Sequence, residues 1–122
     1  VANEPVPAGI PVTTLDDGVE QMTIDRFLIQ DPGETVLIRV KGDSMINAGI
    51  HNGDLAVVMR RKNANVGEQV VAVVDDQFTL KTLGHDKQGY CLLPANPEYP
   101  VIRPNGKLEI FGVVVGLVRR YT

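Results

Sequence analysis

Beyond residue 35 the chain alternates short apolar runs with clusters of turn residues. Residues 35–40, 55–59, 69–74, 78–83, 90–93 and 108–118 are rich in β-branched and apolar side chains, which suit a pleated, half-buried surface. Between them lie Asn52-Gly53-Asp54, Asn65-Val66-Gly67, Asp75-Asp76, the stretch 86–89 and Pro104-Asn105-Gly106, each carrying turn chemistry. Many short strands divided by turns predict a mostly β fold, a compact antiparallel barrel or sandwich. The clearest hairpin joins 70–74 to 78–83 around Asp75-Asp76-Gln77. Helix is expected only at 25–30, ended by Pro32-Gly33, and for one or two turns after Ser44.

The first 22 residues have no sustained period. Pro5, Pro7 and Pro11 exclude a helix interior, because each fixes φ and removes a donor. This segment reads as an extended, mobile arm. The chain therefore divides into an N-terminal arm, 1–30, and a β catalytic and dimerisation domain, 31–122.

Composition narrows the function classes. A chain of 122 residues, 43% apolar and 22% charged, suits one domain with one core. No apolar run approaches the roughly 18 residues of a membrane span, and no basic stretch followed by an apolar one marks a signal peptide. A single cysteine, Cys91, has no internal disulfide partner and fits a reducing cytoplasm as a buried core thiol. The net charge is −3, and the densest basic cluster, Arg60-Arg61-Lys62, reads as a solvated turn. With three Phe, three Tyr and no Trp, a stacking platform for single-stranded nucleic acid is not expected.

Candidate chemistry centres on two residues. Ser44 follows an apolar strand in Gly42-Asp43-Ser44-Met45, at a turn with glycine support. Lys81 interrupts the apolar strand Phe78-Thr79-Leu80-Lys81-Thr82-Leu83, sharing a face with Thr79 and Leu83. A serine needs a base to become a nucleophile, and a lysine serves once it loses its proton. At pH 7 an unperturbed lysine is neutral in fewer than about one molecule in a thousand, but burial among apolar side chains lowers its pKa. Each residue alone has an ordinary reading, as an exposed strand lysine and a hydrogen-bonding turn serine. The backbone N–H groups of Ser44 and Met45, at a strand-to-helix turn, are the candidates for stabilising an oxyanion. Upstream, Ala8-Gly9 is a small-residue bond in the extended arm, a candidate cleavage site. His51 and His85 lie in polar segments read as turns and offer no triad, and neither metal-ligand spacing nor a phosphate loop is present, so no metal or cofactor is expected. Asp16-Asp17 and Asp75-Asp76 read as turn pairs.

These pieces resemble the LexA/UmuD family of self-cleaving serine–lysine proteins. The resemblance runs through Ala8-Gly9, Val40-Lys41-Gly42-Asp43-Ser44-Met45, the segment 49–55, Phe78-Thr79-Leu80-Lys81-Thr82-Leu83, Leu93-Pro94-Ala95-Asn96 and Phe111-Gly112-Val113-Val114. The segments 27–32, 42–46 and 108–114 have the UmuD flavour, and only eight residues end at the candidate bond, without a helix-turn-helix. The resemblance implies that Ser44 is the nucleophile, Lys81 the general base and Ala8 the attacked carbonyl. It also implies a cytoplasmic homodimer, cleavage stimulated by a RecA filament on single-stranded DNA, and a shortened product that joins a UmuC-like Y-family polymerase in error-prone synthesis. Sequence-specific DNA binding by this chain is not expected. Ala8 stands where the best-known UmuD has cysteine; alanine is the LexA-like choice and leaves the chemistry intact. The main alternative is the self-cleaving, dimerising C-terminal domain of a LexA-like or phage repressor. A signal-peptidase-like enzyme acting in trans and a β domain without catalysis are further readings.

Overall fold

The computed structural model describes residues 9–13 and 18–122. Ala8 and the pair Asp16-Asp17 lie outside the described residues. Among the described residues there are eight strands: β1 (Ile10–Thr13), β2 (Val19–Met22), β3 (Thr35–Arg39), β4 (Leu55–Arg60), β5 (Gln69–Val74), β6 (Gln77–Asp86), β7 (Gly89–Leu93) and β8 (Glu109–Val118). One short helix, α1 (Ile24–Leu28), and 3-10 turns at Pro32–Glu34 and Ile46–Ala48 complete the regular elements.

The expected mostly β, antiparallel class is observed. Six strands form one antiparallel sheet in the order β3-β4-β8-β5-β6-β7. The β5–β6 hairpin pairs Val74 with Gln77 and turns through Asp75 and Asp76, both at positive φ (49° and 63°). Two consecutive left-handed residues make the tight turn whose twist matches that of the strands, and Asp tolerates that conformation better than most residues. The turn ties β5 to β6 in the register that opposes Lys81 to Val70.

Two expectations are amended. Residues 1–22 show no sustained period in the sequence, yet within them β1 and β2 pair antiparallel from Ile10↔Met22 to Thr13↔Val19. A hydrophobic period is weak here because the strands are four residues long and mostly exposed. His85, read as part of a turn, lies in β6 and meets Tyr90 of β7 edge to face at 4.6 Å. The strand runs past its apolar segment because the β7 ladder continues to Asp86↔Gly89.

The core divides between two clusters. Val70, Ala72, Leu83, Leu92 and Val113 form one, and Ala56, Val58 and Val71 the other, with Ile38, Val40, Leu80 and Phe111 packed against it. Alternation along β5 sends Val70 and Ala72 to the first cluster and Val71 to the second, so this strand is covered on both faces. Burying one such side chain contributes about 1.5–3 kcal/mol. Cys91 is buried, as expected. Leu28 of α1 approaches Gly116 of β8, which seats the helix against the main sheet.

Gly112 lets β8 come close to β4. A Cβ there would stand 2.5 Å from the Met59 carbonyl oxygen and 2.7 Å from a Val58 methyl. Gly112→Ala is therefore expected to destabilise the protein by about 1–3 kcal/mol, as overpacking of a tight interior does. Urea unfolding with an unchanged slope and a lower midpoint would show this; an unchanged midpoint would refute it.

Candidate active site

Ser44 has no regular element of its own. It sits in a turn between β3 and the 3-10 turn at Ile46–Ala48, and neighbouring loops hold it. Gly42 takes a φ of +81°, a conformation that glycine adopts without a Cβ penalty. Its N–H donates to Asn52 Oδ1 at 2.8 Å. On the other side Ala95 N–H donates to the Ser44 carbonyl at 2.8 Å, and Asn47 N–H to the Ala95 carbonyl at 2.8 Å. Asn96 Nδ2 donates to the Asp43 carbonyl at 3.0 Å, and Tyr99 Oη to Asp43 Oδ1 at 2.7 Å. The Asp43 carboxylate raises the Tyr99 pKa above its ordinary value. Met45 is 2% exposed, so the residue after Ser44 anchors the turn in the core.

Lys81 arrives from β6, a ten-residue strand that pairs with β5 through Thr82 and with β7 from Thr82 onward. Its Nζ lies 2.9 Å from Ser44 Oγ, 2.9 Å from Thr79 Oγ1 and 3.1 Å from the Leu80 carbonyl. The shared face of Thr79 and Lys81 follows from the two-residue period of a strand. Lys81 is only 7% exposed, and loss of solvent around the amine lowers its pKa. Burial disfavours the ammonium and therefore favours the free base.

The two side chains open onto a cleft of about 310 Å³. Ile38, Val40, Met45, Val71, Phe78 and Leu80 supply its apolar lining. Phe78 is half exposed at this cleft and packs on Phe111 at 4.6 Å, and Arg60 lies over the Phe111 ring. Among the described residues, neither Ser44 N–H nor Met45 N–H donates to a backbone carbonyl outside the regular elements. Gly9 is not in this lining; it borders a separate groove with Gln21, Met22 and Phe27.

The chain matches the family model described as Peptidase S24-like over residues 1–115. This chain belongs to the Peptidase S24-like family. S24 peptidases are serine peptidases with self-cleaving members. Protein SamA of Salmonella typhimurium is 38% identical over 117 residues, covering 96% of this chain and 82% of that protein. The LexA repressor of Alcanivorax borkumensis is 41% identical over 93% of this chain and 56% of its own length. LexA repressor 1 of Geobacter sulfurreducens is 43% identical over 93% of this chain and 57% of its own. The chain thus spans about half the length of these LexA repressors and most of SamA.

The pairing of Ser44 with Lys81 was expected from their residue types and placement taken together with the family resemblance. Thr79 as a partner of the amine was not singled out, although its i−2 position on the same strand face signals it. Asn52 and Asn96 stood in turn and motif segments without an assigned contact. Tyr99 gave no signal, because its contact with Asp43 spans 56 positions. Asp54 also escaped notice. It is 2% exposed and accepts from Arg119 Nε and Nη2 and from His51 N–H, closing the loop that presents Asn52 to Gly42. Among the described residues no three His, Cys, Asp or Glu cluster as metal ligands, and no helix is long and apolar enough to cross a membrane.

The Arg119 hydrogen bonds hold the Asp54 pKa down, from 3.8 to about 2. A carboxyl depressed on folding contributes stability that is present above its unfolded pKa and lost as pH falls through its folded value. Between pH 3.8 and about 2, the wild type is therefore expected to lose stability more steeply than Asp54→Asn. At neutral pH, Asp54→Ala should cost about 3 kcal/mol, the lower end for a broken buried pair because Arg119 keeps some solvent. Chemical denaturation across this range tests both; parallel acid limbs would refute the role of Asp54.

Proposed function

We propose that this protein is a self-cleaving serine peptidase in which Ser44 is the nucleophile, Lys81 the general base and Ala8-Gly9 the bond cleaved. The supporting observation is the 2.9 Å separation between a buried lysine amine and the Ser44 hydroxyl. A neutral amine has two N–H bonds and one lone pair. The Leu80 carbonyl can only accept, and Thr79 Oγ1 accepts as well. The two N–H bonds turn to these oxygens, leaving the lone pair for the Ser44 O–H.

Ser44 Oγ then attacks the Ala8 carbonyl carbon while Lys81 takes the hydroxyl proton. The oxyanion is received by the backbone N–H groups of Ser44 and Met45. Collapse breaks the bond to Gly9, Lys81 returns the proton to the departing Gly9 nitrogen, and water hydrolyses the Ser44 ester. Because Gly9 borders a different groove from the one at Ser44, the arm, 1–30, must present its bond to the cleft of this domain or of a partner copy. Regulation then acts on arm placement rather than on assembly of the dyad.

At the level of the cell, the likeness to SamA favours a UmuD-like part in the response to DNA damage. In that reading a cytoplasmic homodimer is cleaved under stimulation by a RecA filament on single-stranded DNA. The product, beginning at Gly9, assists a UmuC-like Y-family translesion polymerase. A second reading rests on the LexA repressors, which match at 41% and 43% identity through about half their length. There, the chain is the cleavage and dimerisation part of a repressor. An upstream helical DNA-binding domain in the full-length gene would decide for the repressor.

Purified protein incubated at rising pH is expected to cleave itself faster, about tenfold per pH unit, until the rate levels off below the ordinary lysine value of 10.5. N-terminal sequencing should find a product starting at Gly9. Ser44→Ala should abolish cleavage, and Lys81→Ala should slow it by about 10²–10⁴-fold. Lys81→Arg should also fail, since guanidinium stays charged. Cleavage at the wild-type rate in Lys81→Ala would remove the lysine from the mechanism.

A further inference from the structure

We propose that Asn96, assisted by Tyr99, is the positioning residue of the oxyanion site: it grips the Asp43 carbonyl and thereby aims the Ser44 N–H. This inference rests on the serine–lysine reading above. Asn96 is 7% exposed, and both ends of its amide are committed. Nδ2 donates to the Asp43 carbonyl at 3.0 Å, and Oδ1 accepts from Glu98 N–H at 2.9 Å. The amide orientation is unambiguous, because the Asp43 carbonyl can only accept and the Glu98 N–H can only donate.

The Asp43–Ser44 peptide is trans, and in a planar trans peptide the carbonyl and the N–H point in opposite directions. Whatever fixes the Asp43 carbonyl also fixes the Ser44 N–H, on the opposite side of the turn. Among the described residues no backbone acceptor outside the regular elements takes that N–H. The Asp43 carbonyl also accepts from Ile46 N–H at 3.2 Å. This longer bond belongs to the turn itself, whereas Asn96 ties the turn to the 93–99 segment.

Tyr99 adds a second tether, on the Asp43 carboxylate, and Asn96 holds Tyr99 in turn through the 3.1 Å bond from Tyr99 N–H to the Asn96 carbonyl. Hydrogen bonding to the carbonyl also polarises the same peptide and strengthens its N–H as a donor. Asn96 makes no hydrogen bond to Lys81 or to the Ser44 side chain, so it acts on oxyanion stabilisation and not on deprotonation.

The two roles separate in a pH–rate profile of self-cleavage. Asn96→Ala is expected to lower the alkaline plateau by about 10- to 100-fold, the effect of a misaimed oxyanion donor, with the midpoint of the profile unmoved. Tyr99→Phe should lower the plateau severalfold, again without moving the midpoint. Melting curves taken alongside establish that each variant is folded at the assay temperature. A merely structural Asn96 would lower the melting temperature and leave the plateau of folded protein intact, and that result overturns the proposal. A shifted midpoint with an unchanged plateau overturns it too. If Asn96→Ala does not fold, Tyr99→Phe decides, and a wild-type plateau there refutes the tether. Ser44→Ala runs in parallel. Persisting cleavage in that variant would sink the serine–lysine reading itself, whereas its silence beside an unaffected Asn96→Ala would sink only this inference.

Discussion

The site depends on keeping one amine out of water without leaving it unpartnered. A lysine buried in an apolar lining is pushed toward its neutral form, and an unsolvated ammonium would be costly. Two oxygens from its own strand, those of Thr79 and Leu80, satisfy the Lys81 amine, while the third direction meets Ser44. The arrangement supports either protonation state with hydrogen bonds. Burial shifts the balance between them; the Leu80 carbonyl can only accept, whereas the hydroxyls of Ser44 and Thr79 can each reverse from acceptor to donor.

Rigidity is divided unequally between the two partners. Lys81 stands on a strand paired with β5 at Val70, one residue before the β7 ladder begins at Thr82, and these ladder bonds fix the backbone. Ser44 stands on a turn with no ladder, held by Asn52 on one flank and by Ala95 and Asn96 on the other. Proton transfer between them requires positions held to a fraction of an ångström, which a free loop would not provide. The Asp54–Arg119 pair, buried on the Asp54 side, extends this support, because it closes the loop that carries Asn52. A contact between the C-terminal end of the chain and residue 54 thereby bears on the geometry at residue 44.

The S24 family match over residues 1–115 and the comparable likeness to SamA and to a LexA repressor take in nearly the whole chain. A serine hydroxyl beside a buried lysine amine, an apolar cleft and a clamped serine turn suit either of the two settings proposed.

Local order in the chain announced the strands, the Asp75-Asp76 turn, the short helix near residue 25, a serine at a turn and a lysine in an apolar strand. Each of these is encoded within a few residues, by alternation, turn chemistry or one polar residue in an apolar strand. The β1–β2 pairing was not legible, since short exposed strands carry little periodicity. The sheet order was not legible either: β8 inserts between β4 and β5 through contacts that no local pattern records. The same holds for Asn96 and Tyr99, whose partners lie 53 and 56 positions away. Residue types alone determined which chemistry was available. Only the tertiary structure decided that the amine is dry, that the hydroxyl is within reach and that the turn is held, because burial, distance and alignment come from side chains that folding brings together.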